Sequence, residues 1–160
     1  MAKTIIRLIV FLIPVIVCGT ASARIGETKK ECEKRYGKAV RELSDTAVMF
    51  LKNGFYVTVI FRDGKAGAVK YQRTAAAVVV LGEKLTDDEI NTFLEVNASG
   101  KKWLDKIRLS EMEMDIWYTE DESLRAVYMK DHRLVVITKE CIDTLNDGIK
   151  REIKEMLEGF

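Results

Sequence analysis

The chain has 160 residues, with 26 Lys and Arg against 25 Asp and Glu and one histidine, so its net charge is close to zero. Nucleic acid and anionic membrane surfaces are bound through a basic excess, and this balance supplies none. One histidine also rules out the histidine-rich ligand sets of most catalytic zinc sites.

Lys3 and Arg7 give residues 1–23 a short basic start, and residues 8–18 are an unbroken apolar run of 11. Ala21-Ser22-Ala23 then supplies the small-x-small pattern cut by signal peptidases. This is the three-part layout of a secretory signal peptide. An apolar helix of that length covers only about half of a ~30 Å hydrocarbon core, so a transmembrane span is not expected. The competing reading is lipidation at Cys18, but Val17 is bulky where the lipoprotein peptidase prefers a small residue. The expected product begins at Arg24 and works outside the cytoplasm, periplasmic or secreted, without membrane attachment.

Removing residues 1–23 leaves 137 residues, 24 basic against 25 acidic, for a net of −1. That is an ordinary size for one core. The remaining chain contains no proline, low-complexity run or linker-like stretch, so residues 24–160 are expected to form a single domain. Cys32 and Cys141 allow one internal disulfide, which an oxidising compartment would permit. Such a bond would contribute perhaps ~4 kcal/mol, and two buried free thiols are the alternative.

Thr28-Lys29-Lys30-Glu31 is a capping box that predicts a helix to about Tyr36, with Gly37 suited to the left-handed position after it. Residues 47–51 then form a strand pattern ending in Asn53-Gly54, a strong hairpin signal. In the strand predicted over 55–62, Phe55, Val57, Val59 and Phe61 share one face, and Tyr56, Thr58, Ile60 and Arg62 the other. Asp63-Gly64 is a second hairpin turn, and 66–72 reads as a third strand. Turns this short make an antiparallel meander.

Ala75–Leu81 (AAAVVVL) has no clear period. Buried core, as an extension of the third strand, a separate strand or an apolar loop, is the preferred reading. If exposed, it is the best single candidate for a contact surface. A second capping box, Thr86-Asp87-Asp88-Glu89, starts a helix through Ile90, Phe93 and Leu94 to about Asn97. Strand patterns follow at 115–119, 124–129 and 134–138. The tail from 140 to 157 places Ile142, Leu145, Ile149, Ile153 and Met156 near one helical face. The fold class expected is α+β, antiparallel β-meanders packed against helices on one face of the sheet, in the order α-βββ-α-βββ-α. The repeated Thr-x-x-Glu start hints at a duplicated unit.

Gly26-x-Thr28-x-x-Glu31-Cys32-x-x-x-Tyr36-Gly37, with Phe61-Arg62-Asp63-Gly64-Lys65-Ala66 later, resembles exported β-barrel-assembly lipoproteins of the BamE/SmpA type. It also resembles the helix-plus-meander unit of β-lactamase inhibitor proteins, and the start at Ala23-Arg24-Ile25-Gly26-Glu27 is similar to other small secreted bacterial proteins. The likeness covers residues 25–66. Ala39 stands where those families carry proline. The resemblance implies a non-catalytic protein that binds another protein, and it carries over no individual functional residue.

No Cys-x-x-Cys, His-Glu-x-x-His or Gly-x-Ser-x-Gly spacing occurs. His132 reads as a turn residue, and Cys141 is nine positions of mostly extended chain away from it, too far for a dyad. Glu111, Glu113 and Asp115 would share one face if that segment is extended. Glu120-Asp121-Glu122 lacks the order of a calcium loop. Asn97-Ala98-Ser99 is a glycosylation sequon, and Trp103 and Trp117 read as core anchors. No catalytic, cofactor or metal residue is assigned. The expected function is an exported, non-enzymatic binding protein acting on a protein or envelope component, through a sheet face or Ala75–Leu81. A small hydrolase using paired carboxylates such as Glu111 and Asp115 is the alternative.

Overall fold

The computed structural model of the protein describes residues 24–144. Both predicted capping boxes form. Thr28 starts α1 (Lys29–Tyr36), and Thr86 starts α3 (Asp87–Asn97). In each, the threonine hydroxyl accepts from the backbone N–H three residues on, and the glutamate reaches back to the cap. Gly37 follows α1 at φ 88°, a region that a Cβ would strain.

Eight strands make one antiparallel sheet. They are β1 (Arg41–Ser44), β2 (Ala47–Lys52), β3 (Phe55–Arg62), β4 (Lys65–Arg73), β5 (Ile107–Leu109), β6 (Met114–Tyr118), β7 (Leu124–Tyr128) and β8 (Leu134–Thr138). Asn53-Gly54 and Asp63-Gly64 make the expected tight turns, with both residues of each pair at positive φ. Three expectations need correction. Each meander has four strands rather than three, because β1 and β5 were not anticipated. They are edge strands of four and three residues, and neither has the alternation of a half-buried strand. Ala75–Leu81 is a helix, α2, rather than a strand or buried core. The β3–β4 ladder ends at the Phe55–Arg73 pair, and Thr74 then donates its N–H to Gly54 O at 2.8 Å. With no partner strand left, Thr74 caps a helix by accepting from the Ala77 N–H.

The third correction concerns the helices, which do not all share one face. A short final helix, α4 (Lys139–Thr144), packs on the side opposite α1 and α3. The remainder of the expected terminal helix, from Leu145, lies outside the described residues, as does the expected signal segment.

The sheet order β1-β2-β3-β4-β8-β7-β6-β5 reads alike from either edge. Each half is a capping-box helix, a four-stranded meander and a threonine-capped helix. Thr74 accepts from the Ala77 N–H at 3.2 Å and Thr138 from the Cys141 N–H at 3.0 Å. The duplicated pattern suggested by Thr28 and Thr86 therefore extends through the topology.

The main core lies between one sheet face and helices α1 and α3. Phe50, Val57, Val59, Val69, Tyr71, Ala126, Leu134 and Val136 meet Cys32, Tyr36, Ile90 and Leu94 there. Phe93 stacks on Tyr71 with ring centroids 4.0 Å apart and meets Phe55 edge-on at 5.3 Å. The two sequence blocks behind the family resemblance are joined here. Gly26 donates to Ala66 O at 2.8 Å, Ala66 donates to Glu27 O at 2.7 Å, and Thr28 bridges Lys65.

Candidate functional site at the α2 end of the sheet

Helix α2 buries none of its residues. Val79, Val80 and Leu81 are 87%, 79% and 63% exposed, three consecutive aliphatic side chains standing in water. The helix is held at its start by the Thr74 cap and stopped by Gly82 at φ 80°. A Cβ on Gly54 would meet Ala77 at 3.2 Å, so the β2–β3 turn lies close against the helix.

Beside α2 lies a cavity of about 260 Å³, lined by Gln72, Arg73, Val78, Glu83, Lys130, Asp131 and His132. A neighbouring hollow of about 290 Å³ shares Lys130 and His132 and adds Leu85, Ile90, Arg108, Asp115 and Tyr128 among its walls. Arg73 is the buried charge in the first cavity's wall. Its side chain is 2% exposed, and Nη2 donates to Glu89 Oε2 at 2.6 Å. Its Nε and Nη1 are buried without a hydrogen-bond partner. The guanidinium carbon lies 5.8 Å from the centre of the Phe55 ring, a weak cation–π contact. A buried donor left unpaired costs about 1–3 kcal/mol, so Arg73 places a polar cost at this end of the sheet.

His132 occupies the β7–β8 turn at φ 61°, with Nε2 3.7 Å from Glu83 Oε2. The turn position agrees with the sequence reading. The Tyr128 hydroxyl accepts from the Leu85 N–H at 3.0 Å, and burial raises its pKa.

The carboxylates of the alternative reading are not arrayed on one strand face. Ser110–Met112 form a 3₁₀ turn and Glu113 is left-handed at φ 50°, which breaks the alternation expected for Glu111, Glu113 and Asp115. Asp115 is held by Arg108 at 2.8 Å and Lys106 at 3.6 Å, and Glu113 pairs with Lys130 at 2.8 Å. In the acidic turn, Asp121 takes bonds from Lys101, Thr119 and Ser123, which hold its carboxyl well below the usual range. Glu120 pairs with Lys102 at 3.0 Å. Among the described residues, no group of three or more His, Cys, Asp or Glu could hold a metal.

Cys32 and Cys141 are both free and buried, on opposite sides of the sheet. Burial, with Glu27 adding repulsion, pushes the Cys32 thiol up to about 12, and burial also raises Cys141. Neither is an activated nucleophile. Asn97, the sequon asparagine, is fully buried, and its Nδ2 donates to Tyr71 Oη at 2.9 Å and Phe93 O at 2.7 Å. A glycan there is incompatible with this fold. Trp117 is buried in the core, and Trp103 packs beside it while donating to Leu94 O at 2.8 Å.

The sequence had flagged the α2 segment but preferred to bury it, and it gave no sign of Arg73. Arg73 reads as one more charge at a strand end until the fold turns it inward beside Glu89. Compared with known proteins, this chain matches no family model, no curated protein and no solved structure.

Proposed function

We propose that this chain is an exported, non-catalytic binding protein that meets another protein or an envelope component through the exposed aliphatic turn of α2. The observation that carries the reading is the exposure of Val79, Val80 and Leu81 on a helix capped at both ends. Consecutive exposed aliphatics on an ordered element mark contact surfaces. The resemblance of residues 25–66 to exported protein-binding modules points the same way. Export itself rests on the signal-type layout of residues 1–23, and a cut after Ala23 leaves the contacts of Ile25, Gly26 and Glu27 with Asn97 and Ala66 intact.

Burying one such side chain contributes about 1.5–3 kcal/mol. Three together reach roughly 5–9 kcal/mol before ordering costs, against the ~8 kcal/mol net of a micromolar complex. A specific contact therefore has to extend beyond α2, and the adjoining cavity walls at Gln72 and His132 offer polar groups for that purpose.

The test is a photo-crosslinking amino acid at Val80, with the same group at exposed Glu33 on α1 as control, in cells that export the protein. A discrete adduct from Val80 that is absent from Glu33, and is lost in Val79→Asp, supports the reading. Identical adducts from both positions, or none from Val80, overturn it.

A further inference from the structure

The cavity of about 260 Å³ beside α2 has in its wall a guanidinium with more N–H groups than the fold pairs. The Arg73 side chain is 2% exposed, and Nη2 donates to Glu89 Oε2 while Nε and Nη1 have no partner. Glu89 is itself shared, because the same Oε2 accepts from the Thr86 N–H at 2.7 Å in the capping box of α3. Water does not reach the unpaired atoms, so the desolvation that usually opposes an ion pair is already complete there. An acceptor brought to Arg73 in this cavity therefore gains more than it would at an exposed arginine.

The rest of the wall narrows the acceptor. A planar guanidinium with unpaired N–H groups matches carboxylate or phosphate oxygens. Glu83 and Asp131 stand in the same wall, and both repel a doubly charged phosphate more strongly than a single carboxylate. Val78 of α2 forms another side, so the acid enters with an apolar neighbour beside it. Exposed Val79, Val80 and Leu81 continue that apolar side away from the cavity.

We propose that this cavity receives an aspartate or glutamate side chain of a protein partner, whose carboxylate pairs with Arg73 while an adjacent apolar residue covers α2. This occupant presupposes that α2 is the contact surface. It narrows the partner to a protein segment that sets one acid beside an aliphatic or aromatic residue.

The experiment titrates butyrate into the isotope-labelled protein and follows the Arg73 Nε–H resonance, recognised by its nuclear Overhauser contact with the Phe55 ring. A saturable shift is expected with butyrate, and none with butyramide or inorganic phosphate at the same concentration. Affinity should be roughly fivefold weaker in Gln72→Glu, which adds a like charge to the wall. Val78→Trp, which fills the cavity from α2, should abolish the shift. No shift with butyrate, an equal shift with butyramide or phosphate, or an undiminished response in either variant overturns the site. The Val80 crosslink is then repeated in Gln72→Glu, where the adduct should fall several-fold. An undiminished adduct overturns the acidic occupant and leaves the α2 contact standing. No adduct in the otherwise unaltered chain overturns the contact, and the occupant with it.

Discussion

Asn97 Nδ2 donates to Tyr71 Oη at 2.9 Å in the middle of an apolar core, tying the last residue of α3 to β4. The same amide donates to Phe93 O, and its oxygen accepts from the Ile25 N–H at 3.3 Å. One side chain thus serves three polar partners from separate elements.

Asn97→Ala should therefore cost about 2–4 kcal/mol, since it leaves a cavity and removes three hydrogen bonds at once. Tyr71→Phe removes one hydroxyl and should cost nearer 1 kcal/mol. Urea denaturation of the two variants gives both values. Equal costs would show that the amide's other bonds carry nothing.

Gly67 lies under α4, and an added Cβ would sit 3.0 Å from Cys141 Cβ and 3.1 Å from its Sγ. Gly67→Ala should lower stability by about 1–3 kcal/mol through overpacking. Cys141→Ala in that background should recover part of the loss by removing the sulfur but not the Cβ. A thermal melt of the single and double variants checks the coupling.

Arg73 and Glu89 form a mostly buried ion pair. Removing the carboxylate leaves a guanidinium buried with no counter-charge, whereas removing the arginine leaves a partly exposed glutamate. Glu89→Gln should therefore destabilise more than Arg73→Met, by about 1–3 kcal/mol after allowance for Glu89's partial exposure. The double variant should be no worse than Glu89→Gln alone. Chemical denaturation of all three decides the order.

Stability should fall at high pH. The Cys32 thiol is raised from 9 to about 12 by burial beside Glu27, and burial also raises the Tyr36 hydroxyl. Below pH 9 both folded and unfolded thiols are protonated and the stability is fully present. Between about 9 and 12 only the unfolded thiol ionises, and up to about 1.4 kcal/mol is lost per pH unit. Cys32→Ala should flatten that slope while leaving the Tyr36 part. Folded protein at pH 8 should resist Ellman's reagent at both cysteines.

Local rules made much of the fold legible. The Thr28 and Thr86 caps, the two Gly-bearing turns and the alternation of Phe55 to Arg62 follow from backbone sterics and from periods of 3.6 and 2. Edge strands β1 and β5 escaped because they are four and three residues long and all their side chains but Leu109 face water, so no alternation is selected. The candidate site was half visible. AAAVVVL stood out, but an apolar run carries no mark of which side of the sheet boundary it occupies.

What the residues alone determined is where the chain turns, where its helices begin, and which strand face is apolar, because each depends on neighbours within a few positions. Tertiary structure decided the rest. Pairing β4 with β8 joined two meanders into one sheet, Glu89 of α3 met Arg73 as a mostly buried pair, and Val79, Val80 and Leu81 stayed outside. Those outcomes depend on contacts between residues tens of positions apart, and burial is a property of the assembled sheet rather than of any short segment.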